Sequence, residues 1–125
     1  MNSLNIYKEH ILDLYRNPHN KGNLKNPTYE FSKNNPLCGD EIKIQFNVKE
    51  KKIKNIKFSG QGCAISQASA SLLTDKIKGC SINELKKFSK REVLKLLKIP
   101  ISPARLNCAL LPLDAINEAL KNVRN

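Results

Sequence analysis

The sequence predicts an α+β domain, a small three-stranded antiparallel sheet with helices packed on one side. Three observations carry that class. Apolar residues alternate with polar ones through residues 40–48 and again through 53–58, and they recur at helical spacing elsewhere. The polar stretch Lys49-Glu50-Lys51-Lys52 lies between the two alternating runs, where a hairpin turn belongs. Helical patterns stand before the hairpin and after it, an order that segregates strands from helices. At 125 residues the chain is expected to form one domain over 1–125, long enough to bury a core without disulfides or metal.

Each element follows from local pattern. Leu4, Tyr7, Ile11, Leu14 and Tyr15 share a helical stripe, so residues 4–16 form an amphipathic helix that Asn17-Pro18 ends. Residues 18–36, rich in Asn, Pro, Gly and Lys, read as loop with one short strand near 28–32. In the hairpin, Ile42, Ile44, Phe46 and Val48 face one side. Ile56 and Phe58 keep the alternation on the second strand, while Ile53-Lys54 falls out of phase. A helix over 64–78 presents Ile65, Ala68, Leu72, Leu73 and Ile77 on one face and closes at Gly79. Ser81 with Glu84, and Ser89 with Glu92, are capping boxes for two short helices. Ser102-Pro103 is an N-cap and N1 proline for a last helix reaching about Val123, with a kink or restart at Pro112.

Composition bounds the function. The N-terminus lacks a basic segment followed by an apolar one, and no stretch approaches the roughly 20 apolar residues of a membrane span. The expected location is cytoplasmic, with no membrane partner, and there thiols stay reduced and read as metal-binding or catalytic. The net charge of +11 raises a nucleic-acid reading. Lysine outnumbers arginine 18 to 4, the lysines are scattered, and no aromatics interleave them for base stacking. Solvated lysine faces explain the charge, and no nucleic-acid partner is expected. A zinc-stabilised nucleic-acid-binding protein stands as the alternative from another class, and a self-contained thiol enzyme as a third.

The cysteines carry the chemistry. If the hairpin is symmetric about Glu50 and Lys51, it brings Cys38 and Asp40 beside Cys63. Cys63 follows Gly60-Gln61-Gly62 and immediately precedes a helix, where free N–H groups favour a thiolate. Cys108 lies early in the last helix, pointing away from the Leu106, Leu110, Leu113 stripe by helical geometry. Three thiolates and one carboxylate make four ligands, which suits zinc and also an iron–sulfur cluster. The harder Asp40 weakens the hold on a soft centre, as a site that must exchange requires. Arg105, one turn before Cys108, is placed to offset the negative charge. Cys80 has only the helix-ending Gly79 beside it and reads as structural; His10 is a helix-border residue, and His19 neighbours no cysteine.

Four ordered segments extend this reading. They are Tyr15-Arg16-Asn17-Pro18-His19-Asn20-Lys21-Gly22, Asn35-Pro36-Leu37-Cys38-Gly39-Asp40, Phe58-Ser59-Gly60-Gln61-Gly62-Cys63-Ala64-Ile65-Ser66 with Ala68-Ser69-Ala70-Ser71 beyond, and Pro103-Ala104-Arg105-Leu106-Asn107-Cys108. In these the chain resembles the U-type iron–sulfur assembly proteins (IscU, SufU and the N-terminal part of NifU). The resemblance implies a metal site of Cys38, Asp40, Cys63 and Cys108. IscU-like scaffolds carry a histidine before the third cysteine and a Leu-Pro-Pro-Val-Lys motif ahead of it. Here Asn107 and Ile99-Pro100-Ile101-Ser102-Pro103-Ala104-Arg105 stand instead. Pro103-Ala104-Arg105 and the segment around Cys63 look like the SufU branch, although the insertion usual in that branch before the third cysteine is missing.

The resemblance implies an assembly protein that binds zinc, or alternatively a transient [2Fe–2S] cluster or iron. It implies sulfur accepted as persulfide from a cysteine desulfurase of the SufS or IscS kind, with Cys38 or Cys108 as acceptor and Arg105 assisting. The [2Fe–2S] scaffold of the IscU type remains the alternative. Whether the chain acts as an enzyme in its own right stays open. Further partners implied are downstream iron–sulfur apoproteins or a scaffold, and the chain is expected to be a monomer or weak dimer.

Overall fold

The computed structural model describes residues 3–36 and 39–121. The chain runs α1 (Ser3–Arg16), β1 (Tyr29–Asn35), β2 (Asp40–Lys49), β3 (Lys52–Gln61), α2 (Ala64–Ile77), α3 (Ile82–Lys86), α4 (Lys90–Leu97) and α5 (Pro103–Leu120). The sheet is an antiparallel meander in the order β1-β2-β3. The first strand starts one residue later than the pattern predicts and runs three residues further. Among the described residues no helix is long and apolar enough to cross a membrane.

Period-two pleating puts Ile42, Ile44 and Phe46 of β2 on the inner face, all fully buried. Ile53, Ile56 and Phe58 of β3 join them. The spacing of three between Ile53 and Ile56, which breaks alternation in the sequence, has a structural cause. Asn47 pairs with Asn55 but Val48 pairs with Ile53, so Lys54 is an extra residue in the ladder. That bulge lets both isoleucines face inward. It also shifts the register by one from perfect symmetry about the turn, giving Glu41 opposite Gln61.

The hairpin turn is two residues long, and Glu50 and Lys51 both take positive φ, 54° and 65°. A tight turn of this twist matches the strands, but it asks two side-chain-bearing residues to adopt a left-handed backbone that Asn and Gly adopt more readily.

Helices α2 and α5 lie on the inner face. The single apolar face expected for α2 is half the picture. Ala68, Leu73 and Ile77 are buried, while Ile65 and Leu72 are half-buried against a second cluster with Ile11, Leu14, Leu97 and Ala109. Its polar side is buried as well, at Ser66, Gln67, Ser69, Ser71 and Thr74. Small hydroxyl residues admit neighbours closely and still bond. Ser69 Oγ donates to the Ala109 carbonyl at 2.6 Å, and Ser71 Oγ accepts the His19 amide at 3.1 Å.

Residues 17–22 strap this helix to the β3 edge. His19 Nδ1 stands 2.6 Å from Asp75 Oδ2, and Asn20 Nδ2 donates to Thr74 Oγ1 and Asp75 Oδ1. The Gly22 amide donates to the Phe58 carbonyl at 2.8 Å.

The caps differ in completeness. Ser89 and Glu92 form the full reciprocal box, whereas Ser81 accepts from the Glu84 amide without the return bond to its own backbone. Ser102 is the N-cap of α5 with no side-chain bond, and Pro103 takes the first helical position. The last helix does not restart at Pro112, which lies buried within it, and its expected end at Val123 lies outside the described residues.

Replacing Glu50 with Asn and Lys51 with Gly together should raise unfolding stability by about 1 kcal/mol, since both residues favour the required backbone. Urea denaturation reads this directly, and an unchanged or lowered midpoint would contradict the turn geometry.

Candidate metal centre

Asp40 opens β2 on the same even-numbered row as Ile42, Ile44 and Phe46, so the pleat turns its carboxylate inward, where it is 3 % exposed. One step beyond the last ladder pair, the other strand leaves the sheet at Gly62 and enters α2 through its N-cap, Cys63. The two segments meet through the aspartate. The Cys63 amide donates to Asp40 Oδ1 at 3.1 Å, and its thiol lies 3.5 Å from Oδ2.

The Gly-x-Gly preceding Cys63 has a definite steric cause at each position. Gly60 has φ +113°, and a Cβ there would stand 2.2 Å from the Glu41 carbonyl oxygen. At Gly62 a Cβ would stand 2.4 Å from Ser66 Oγ and 3.0 Å from Asp40 Cγ. The first glycine permits the close backbone approach of the strands, and the second leaves volume for two polar side chains beside the cysteine.

Cys108 arrives from α5. Its orientation differs from the expectation of a cysteine turned off the apolar seam: it is 1 % exposed, and the burial of α5 begins at this residue. Pro103, Ala104, Arg105, Leu106 and Asn107 before it are exposed. The expected stripe included Leu106, which sits in this projecting first part of the helix. The seam therefore starts two residues later, at the cysteine itself.

One ligand atom from each of Asp40, Cys63 and Cys108 lies within 4.8 Å of the others. Four ligands on zinc at about 2.0–2.3 Å stand about 3.3–3.8 Å apart, so closing by about 1 Å brings these three into a coordination shell. The donors fit such an ion chemically. Two sulfurs and one carboxylate oxygen match the preferences of zinc, and iron accepts the same set. A cation among them would offset the desolvation of a buried carboxylate.

The predicted residues divide clearly. The structure brings Asp40, Cys63 and Cys108 together, and Cys38 lies outside the described residues. Arg105 is exposed on the first part of α5. Cys80 stays apart, its thiol 3.4 Å from the Lys76 carbonyl oxygen. His10 is exposed on α1, and His19 belongs to the strap.

Sequence reasoning missed Ser66. It is 1 % exposed, its hydroxyl donates to the Cys63 carbonyl at 3.1 Å, and its oxygen lies 3.9 Å from the Cys63 sulfur. The available signal was its spacing: the residue three after an N-cap shares the cap's side of the helix.

A model of the NifU-like N-terminal domain matches residues 6–125 of this chain. The mitochondrial iron–sulfur cluster assembly protein 2 of Saccharomyces cerevisiae is 35 % identical over 124 residues, covering 95 % of this chain and 78 % of that protein. The zinc-dependent sulfurtransferase SufU of Bacillus subtilis is 33 % identical over 132 residues, covering 92 % of this chain and 89 % of that protein. Among solved structures, one from Fervidobacterium islandicum superposes with a TM-score of 0.79 at 30 % identity. It is described as a candidate iron–sulfur cluster assembly scaffold for the SUF system, and the match covers 95 % of this chain and 99 % of that one.

Replacing Gly60 with Ala should cost about 2–3 kcal/mol of stability, because positive φ and a backbone clash act together. The neighbouring exposed Gln61→Ala should cost less than about 0.5 kcal/mol. Equal urea midpoints for the two variants would refute the steric reading.

Proposed function

This chain belongs to the family of NifU-like N-terminal domains, and from that premise we propose an iron–sulfur cluster assembly protein that accepts persulfide sulfur from a cysteine desulfurase. The ligands we propose for its zinc are Cys38, Asp40, Cys63 and Cys108. The observation that carries the reading is the convergence of Asp40, Cys63 and Cys108 from β2, the start of α2 and α5. The name of the Bacillus subtilis relative supports zinc and sulfur transfer together. Bound zinc would supply a charge that holds the thiols as thiolates and keeps them from oxidation.

The chain's own residues supply the rest. Cys108 is buried and best suited to anchoring, which leaves Cys38 of the two candidate acceptors. Cys38 is therefore the acceptor in this reading. Its thiolate attacks the outer sulfur of the partner's persulfide, a new S–S bond forms, and the partner's cysteine leaves as a thiolate. The transfer is balanced, because one S–S bond replaces another. Arg105, on the exposed start of α5, is placed to meet the anionic groups of an incoming partner. Asp40 is the weakest ligand for a soft ion and the one most readily exchanged.

Purified protein should hold about one zinc per chain, as a single four-ligand site requires. Cys63→Ser and Asp40→Ala should lose it while keeping native circular dichroism. Elemental analysis checks this, and a metal-free native protein that still accelerates a desulfurase would sink the zinc reading. A second measurement separates transfer from scaffolding. With a cysteine desulfurase, cysteine and iron, faster sulfide release with zinc retained is the expected result. Accumulation of a visible [2Fe–2S] absorbance would instead assign the chain to the scaffold role.

A further inference from the structure

We propose that Ser66 is a positioning residue for Cys63: its hydroxyl donates a hydrogen bond to the Cys63 sulfur when that sulfur is a metal-bound thiolate. The inference rests on the metal reading above and adds to it a residue that sets how tightly one ligand is held.

As a thiol, Cys63 carries its own proton and has Asp40 Oδ2 as acceptor 3.5 Å away. The Ser66 hydroxyl then has one use for its single hydrogen, the Cys63 carbonyl at 3.1 Å. Metal binding removes the thiol proton. The sulfur becomes an acceptor only, while the Cys63 amide is already committed to Asp40 Oδ1. Ser66 Oγ stands 3.9 Å from that sulfur, and a hydroxyl rotor turns without moving the backbone. At that separation the pair already lies at the outer edge of hydrogen-bond range for sulfur.

Burial and sterics support the same assignment. Ser66 is 1 % exposed, so its hydroxyl bonds within the protein rather than to bulk solvent. Gly62 leaves open the space that Ser66 Oγ and Asp40 Cγ occupy, and a Cβ at that position would collide with the hydroxyl first. The bare backbone at 62 thus keeps a ligand carboxylate and a donor hydroxyl side by side against one cysteine. Hydrogen bonds to ligating atoms orient them, and losing one typically lowers metal affinity about 10–100-fold.

The test uses the full chain, stripped of metal and titrated with zinc against a chromophoric chelator, and separately with Co2+ to read the sulfur-to-metal charge-transfer band. Ser66→Ala places a better helix former at a helical position, so it is expected to fold. It should bind zinc at least about tenfold more weakly. Its cobalt band should move to lower energy, because the sulfur electrons are no longer stabilised by a donor. Ser66→Thr keeps the hydroxyl and should restore both affinity and band position.

Unchanged affinity and band in Ser66→Ala would overturn the proposal. So would weaker binding with an unshifted band and a lowered melting temperature, which would assign Ser66 to the helix start alone. Failure of the wild-type chain to take up either ion would sink the metal reading itself, and the proposal with it.

Discussion

The geometry of the site depends on a carboxylate kept inside. Asp40 occupies the position in β2 where the alternation calls for another apolar side chain, and it is almost fully buried. A carboxylate buried without partners costs several kcal/mol. Here the amide and thiol of Cys63 face its two oxygens, so a strand start and a helix start are held together by one side chain. The register of the hairpin decides whether this happens. A slip of one residue would exchange Asp40 for exposed Glu41 and turn Ile42, Ile44 and Phe46 outward. The tight turn at Glu50-Lys51 and the bulge at Lys54 therefore govern a site at the opposite end of the hairpin.

The third residue of the site, Cys108, depends on a different constraint, the slimness of α2. Ala68 and Ala70 are fully buried, and Ser69 bonds the carbonyl of Ala109, the residue after Cys108. Large side chains along this helix would hold α5 away from it. Alanine and serine let the two backbones approach, and the serine hydroxyls satisfy themselves within the contact instead of leaving buried polar groups unpaired. The same economy serves the strap, which bonds to Ser71, Thr74 and Asp75 on α2. A helix whose sequence shows a single apolar face is therefore also the element to which α5 and the strap are fastened through its polar side.

Much of this was legible from periodicity and punctuation. The alternation through Phe46 and Phe58, the stop at Asn17-Pro18, the Ser89–Glu92 box and the meeting of Asp40 with Cys63 all follow from local rules. The failures share one cause, which is that tertiary neighbours are not written into a local window. Cys108 looked off the seam because Leu106 counted toward the stripe, and only packing shows that α5 projects free up to Asn107. The serine side of α2 received no role from the sequence, because its function is set by α5 and the strap that cover it. Ile53 looked out of phase because a bulge is visible only in the pairing. Ser66 escaped notice because its importance lies in a distance to sulfur.

The proposed ligands come from three segments separated by long stretches of chain, so the site exists only when hairpin, α2 and α5 are all in place. A metal bound there would stabilise the whole domain, since an unfolded chain offers no preformed set of donors. The accessibility of the ligands is also graded. Asp40 and Cys108 are buried, while Cys63 is half-buried at the mouth of a helix. Of the three, Cys63 is therefore the most accessible and Cys108 the most enclosed. Under the proposed zinc reading, exchange at one ligand with retention of Cys108 would let the site open without dismantling the core that α5 shares with the sheet.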